Sequence, residues 1–141
     1  MAAPLRVVIA DDHPAYRRGL AHMLREHGID VVAEAPNGET AIASVEETEP
    51  DVVVMDLSMP GLSGLEATRR LIDEAPGTRV LVLSVSAQGD DVAEALEGGA
   101  HGYVLKDGPV EEVVAGIRAC AAGQPVISPR VLPALPPDPG A

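Results

Sequence analysis

The chain contains no tryptophan and no phenylalanine, and its two tyrosines, Tyr16 and Tyr103, leave aromatic residues at 1% of 141 positions. A core cannot be built on large rings here. It must come from Val, Leu, Ile and Ala, which make up most of the 46% hydrophobic content, and such side chains suit helices packed closely on both faces of a parallel sheet. Cysteine is nearly absent as well. Cys120 stands alone, which excludes an internal disulfide and any cysteine-rich metal site and fits a reducing compartment. Basic residues are scarce: 10 Lys and Arg against 22 Asp and Glu give a formal charge of −12. Nucleic acid and anionic membranes are held chiefly through Lys and Arg, so direct DNA binding by these residues is not expected, nor is membrane attachment. No apolar run approaches the roughly 18 residues that span a bilayer. The start, Met1 to Pro4, leads straight into a buried-type strand and does not read as a secretory signal. The expectation is a soluble, cytoplasmic protein.

What the chain does have is rhythm. Five short apolar runs rich in β-branched residues, 5–10, 31–35, 52–55, 80–83 and 102–105, recur at intervals that leave room for a helix between each pair. The intervening segments carry helical periodicity. Val110, Val113, Val114, Ile117 and Ala121 form one apolar stripe, and Tyr16, Leu20, Met23, Leu24 and His27 form another, with Pro14 in its first turn and Gly28 just past its end. Further helices are expected within 39–47, 65–75 and 91–97. The fold class that follows is α/β, (βα)5. Past Gly123 the composition shifts to proline with almost no charge, so residues 1–123 are expected to form one domain and 124–141 a proline-rich tail or linker.

In an open parallel sheet, the loops leaving the carboxyl ends of the strands converge on a crevice where ligands bind. The first run ends in Asp11 and Asp12, the third in Asp56, the fourth in Ser84 and the fifth in Lys106. Carboxylates brought to one edge repel by on the order of 1–4 kcal/mol per close pair, so a positive partner is required. Lys106 offers one charge. A divalent ion would offer two more, and an all-oxygen donor set favours Mg2+ or Mn2+ over zinc. An Asp in such surroundings can attack phosphorus and form an acyl phosphate, provided that charge on the phosphoryl oxygens is neutralised. Ser84 could then donate a hydrogen bond to the phosphoryl group.

Each residue also has a plainer reading. Asp11 and Asp12 could cap the first helix, Asp56 could precede the turn at Met59, Pro60 and Gly61, and Lys106 could pair with Asp107. Ser84 could satisfy a strand end, and Tyr103 could be an ordinary half-buried aromatic. Together, on one edge, they favour the chemical reading. His13, His22, His27 and His101 have no ligand spacing and are read as surface or capping residues; Met55, Met59 and Cys120 are read as packing.

The segments Asp11-Asp12, the run from Val54 to Gly61, Ser84 and the run from Gly102 to Lys106 resemble the receiver domain of two-component response regulators, over residues 5 to 123. Asp12-His13-Pro14, Ser84-Val85-Ser86 and the stretch from Gly98 to Asp107 are similar to its NarL/FixJ (LuxR-type) branch, whose members usually join the receiver to a helix-turn-helix DNA-binding domain. The resemblance implies a flavodoxin-like, doubly wound parallel sheet of five strands in the order 2-1-3-4-5. It implies Asp56 as phospho-acceptor, with Mg2+ or Mn2+ on Asp11, Asp12, Asp56 and the backbone carbonyl of Ser58. Lys106 would pair with the phosphate, Ser84 would be the switch hydroxyl, and Tyr103 the aromatic that turns inward with it. The implied partners are a sensor histidine kinase, a second copy of the chain, and DNA only through a C-terminal domain absent from this sequence. Many receivers place proline after the lysine, where this chain has Asp107. Two rival readings are an aspartyl-nucleophile phosphohydrolase, whose Asp-x-Asp motif does not match the adjacent Asp11 and Asp12, and a receiver-like module that is never phosphorylated.

Overall fold

The computed structural model describes residues 3–128. Strands and helices alternate along the chain: β1 (Arg6–Ala10), α1 (Pro14–Glu26), β2 (Asp30–Ala35), α2 (Gly38–Thr48), β3 (Val52–Asp56), α3 (Gly64–Glu74), β4 (Arg79–Ser84), α4 (Gly89–Glu97), β5 (Gly102–Leu105), α5 (Val110–Ala121) and β6 (Val126–Ile127). The strands form one parallel sheet in the order β2-β1-β3-β4-β5-β6. This is the doubly wound order expected for the first five, with one strand added.

Strand alternation divides the core into two layers. Val7 and Ile9 of β1 point to the face covered by Leu20, Ala21 and Leu24 of α1 and by Val113, Val114 and Ile117 of α5. Val8 and Ala10 point to the opposite face, under Ala41 and Val45 of α2, Ala67 and Leu71 of α3, and Val92 and Ala95 of α4. With helices on both sides, the central strand β3 is buried at every position, which is why its sequence is an unbroken apolar run rather than an alternating one. Full burial of a side chain such as Leu71 contributes roughly 1.5–3 kcal/mol.

Local signals set the helix ends. Pro14 occupies the first turn of α1, and Gly28, at φ 79°, ends it in the left-handed region that favours glycine. The Asn37 side chain accepts from Thr40 N at 2.8 Å to cap α2, and Ser63 accepts from Glu66 N at 3.2 Å to cap α3. Cys120 is buried and unpaired, and burial pushes its thiol up to about 11.

The sheet runs on past the boundary drawn after Gly123. Val126 and Ile127 pair in parallel with Gly102 and Tyr103, and Ser128 N donates to the Tyr103 carbonyl at 2.9 Å. A two-residue edge strand beginning directly after Pro125 costs no ladder donor, so proline-rich composition did not prevent it. The rest of the expected tail, 129–141, lies outside the described residues. Among the described residues no peptide bond is cis, the Lys106–Asp107 bond included, and no helix is long and apolar enough to cross a membrane.

Candidate functional site

The order 2-1-3 reverses the direction of winding between β1 and β3, and it is at such a reversal that a crevice opens at the carboxyl ends of the strands. Ala10 is in register with Met55, so the next residues along, Asp11 and Asp56, are delivered side by side. Gly64 keeps this corner tight: a Cβ there would lie 2.0 Å from the Asp56 carbonyl oxygen, so α3 can start this close to β3 only without a side chain at that position.

Lys106 reaches in from the end of β5. Its Nζ lies 2.6 Å from Asp11 Oδ2 and 3.2 Å from Asp56 Oδ2. Asp11 and Asp56 are both buried. Asp56 Oδ1 accepts from Ser58 N at 3.1 Å, and Asp11 Oδ1 accepts from His13 N at 2.8 Å. One oxygen each from Asp11, Asp12 and Asp56 and a nitrogen of His13 lie within 4.8 Å of one another.

One ammonium does not balance this cluster. Asp11 Oδ2 is an ion-pair partner of Lys106 yet receives no aligned hydrogen bond, and Asp12 Oδ1 is buried in the same condition. Three carboxylates of this arrangement, two with oxygens short of donors, fit a hard divalent cation. The electrostatics point the same way. Burial pushes the Asp56 carboxyl above the usual aspartate range and Asp11 adds to this, while the Ser58 N–H and the Lys106 charge oppose it. For Lys106, burial pulls the ammonium down, but the contacts and charges of Asp11 and Asp56 outweigh it and hold it above the ordinary lysine value.

Ser84 is buried at the end of β4, its Oγ accepting from Ser86 N at 3.1 Å and its carbonyl accepting from Lys106 N at 2.8 Å. Tyr103 is fully buried, with its hydroxyl donating to the Ser86 carbonyl at 2.7 Å. The ring therefore lies inside the fold, not half-exposed as its plainer reading had it. Ser86 Oγ in turn bonds Asp91 of α4, which ties the β4–α4 loop to the helix.

Three residues at the site escaped the sequence reading. His13, read as a surface or capping residue, is exposed and stands at the N-cap of α1, and it also sets Nδ1 3.3 Å from Asp11 Oδ1 and 3.1 Å from Asp12 Oδ1. Arg17 donates to the Asp11 carbonyl at 2.7 Å and pairs with Glu34. The Tyr16 ring lies under Lys106, its centroid 4.6 Å from Nζ. Burial, together with Asp11 and Asp56, pushes the Tyr16 phenol up to about 12. His22 and His27 hold the roles expected of them, paired to Glu26 and to the Met23 carbonyl at the end of α1.

The family model for the response regulator receiver domain matches residues 7–118. The chain belongs to the response regulator receiver domain family. It is 39% identical to the nitrate/nitrite response regulator NarL of Escherichia coli (strain K12) over 133 residues, which is 94% of this chain and 62% of that protein. It is 40% identical to the response regulator GacA of Pseudomonas aeruginosa over 128 residues, 90% of this chain and 60% of that protein. The crystal structure of a LuxR-family two-component response regulator from Aurantimonas sp. SI85-9A1 superposes with a TM-score of 0.89 at 36% identity, covering 94% of this chain and 95% of the other. These relatives support the NarL/FixJ branch of receivers. The chain spans about 60% of the length of the regulators it matches.

Proposed function

We propose that Asp56 is the phosphoryl acceptor of this receiver, which works in the cytoplasm and takes the group from a phosphohistidine of a sensor histidine kinase. The observation that carries the reading is the Lys106 ammonium, held between Asp11 and the Asp56 carboxylate at 2.6 and 3.2 Å. An Asp56 oxygen attacks phosphorus and a new O–P bond forms. The P–N bond breaks and its electron pair leaves with the imidazole nitrogen; the phosphohistidine ring carries a proton on its other nitrogen, so it departs as neutral imidazole. Lys106 is within reach of the phosphoryl oxygens and offsets their charge. Asp11, Asp12, Asp56 and the Ser58 carbonyl would hold Mg2+ or Mn2+, which supplies further neutralisation when bound.

The Ser84 hydroxyl then donates to a phosphoryl oxygen. That movement draws on the β4–α4 loop, where Tyr103 and Asp91 are already tied to Ser86, and so biases the face formed by α4, β5 and α5. A single new charge can do this only if the two packings differ by a few kcal/mol. We assign the output to transcription, through a helix-turn-helix part of the whole protein that lies outside this sequence, and a second copy of the chain as a further partner. The strong negative charge, −12, fits a receiver that does not itself touch DNA.

The test is intact mass after incubation with acetyl phosphate and Mg2+. The parent gains one phosphoryl group, a chelator abolishes the gain, and Asp56→Ala shows none. A parent that stays unmodified contradicts the reading, as does continuous release of phosphate without an adduct.

A further inference from the structure

We propose that Tyr16 is a positioning residue for Lys106: its ring closes the third side of the ammonium's cage, and adduct formation at Asp56 depends on an aromatic face at position 16. This rests on the acceptor reading given above. Lysine carries a compact charge on a flexible four-carbon stem, so placing that charge demands contacts on several sides. Here there are three: Asp11 Oδ2 at 2.6 Å, Asp56 Oδ2 at 3.2 Å and the Tyr16 ring centroid at 4.6 Å. The lysine side chain is only 11% exposed.

The ring is placed by the helix that follows the acidic loop. Pro14 fixes the first turn of α1, so Tyr16 comes up near Asp11 and Asp56 while packing against the α1–α5 layer of the core. Tyr16 and Lys106 together line a cavity of about 300 Å3, bordered also by Gly19, Met23, Gly108 and Val110. A cation over an aromatic face is favoured by roughly two- to thirtyfold, depending on how dry the contact is.

The attraction differs in kind from the two ion pairs. It asks only that the charge stay over the ring face and engages no particular N–H, so the ammonium can turn from carboxylate to phosphoryl oxygen as the group arrives without losing the ring. A purely aliphatic neighbour would fill the same space but would not hold the charge.

The experiment follows adduct formation from acetyl phosphate with Mg2+, in which an Asp56 oxygen–phosphorus bond forms as the bond to acetate breaks and acetate leaves with the electron pair. Tyr16→Leu should lower the limiting rate about five- to tenfold with little change in half-saturation. Tyr16→Met gives the same loss should the leucine variant fold poorly, which thermal melting monitors. Tyr16→Phe and Tyr16→Trp keep the ring and stay within about twofold of the parent. With Lys106→Ala already present, Tyr16→Leu should cost nothing further, because the ring acts only through the ammonium. In NMR spectra the Lys106 ε-protons should be shifted upfield by the ring in the parent and Tyr16→Phe, and should return to ordinary values in Tyr16→Leu. An equal loss with and without Lys106 overturns the proposal, as does a Phe variant as slow as Leu. A parent that gains no mass removes the acceptor reading and this inference with it. A parent that gains mass beside an equally fast Tyr16→Leu removes this inference alone.

Discussion

The two ends of the sheet treat their polar groups in opposite ways. At the amino ends of the strands the bonds close. Arg6 N donates to Asp51 Oδ2 at 2.8 Å, the Arg6 guanidinium to the carbonyls of Thr48 and Glu49 at 2.6 and 3.2 Å, and the buried Thr78 hydroxyl to the Pro50 carbonyl at 2.8 Å. At the carboxyl ends Asp11, Asp12 and Asp56 crowd a single lysine, and two of their buried oxygens have no aligned donor. Buried polar groups left short of partners cost stability, so the second end is held together by the first and by the core between them. The excess of acceptors is what suits it to a cation.

The contrast can be broken most completely at Asp56. Asp56→Asn should abolish the acetyl phosphate adduct, whereas no single change at the amino ends should lower its yield by more than about twofold; quantitative intact mass separates the two. Next in size is Gly64→Ala. A Cβ 2.0 Å from the Asp56 carbonyl oxygen and 2.7 Å from Leu57 Cα forces α3 away from β3, at an expected cost of about 2–3 kcal/mol in urea unfolding. Thr78→Val, at the other end, leaves the buried Pro50 carbonyl without its donor. It should cost about 1–2 kcal/mol and leave the rate of adduct formation unchanged.

The smallest effect concerns pH. Asp56 binds its proton more tightly folded than unfolded. Its contribution to stability is therefore complete below the ordinary aspartate value of 3.8 and is lost as pH rises through the higher folded value. Near neutral pH without divalent ions, Asp56→Asn should melt above the parent. The gap should narrow on acidification below the aspartate range. Melting curves at acidic and neutral pH check it, and an unchanged gap would place the destabilisation elsewhere.

Much of this contrast could be read from the chain. The apolar runs located five strands to within a residue, starting one early at Leu5 and missing ends such as Asp30, Asp56, Arg79 and Ser84 where a polar residue continues the ladder. Asp11, Asp12, Asp56, Ser84 and Lys106 were marked because each directly follows a buried run, and strand polarity alone brings such residues to one edge. Periodicity tells which face of an element is buried but not which side chain meets which across elements. Tyr16 therefore read as one more member of the α1 stripe, and its place beside a lysine 90 positions away had no local sign. The reach of Arg17 to Glu34 was missed for the same reason, whereas His13 meets Asp11 and Asp12 beside it in the chain, a local contact that ligand spacing did not flag. β6 was lost because two residues are too few to show a period, and the shift in β1–β2 register between Val7 and Val8 leaves no mark in composition.

The central claim is that the carboxylate closing β3 is the one that takes the phosphoryl group. Borohydride reduction of the acetyl phosphate adduct, followed by peptide mapping, tests it directly, since only an acyl phosphate is reduced and the modified residue keeps its position. Modification confined to residue 56, and lost when a chelator is added before the phosphodonor, is the expected result. Modification at Asp11, at Asp12 or at any other residue, with position 56 intact, would contradict the account.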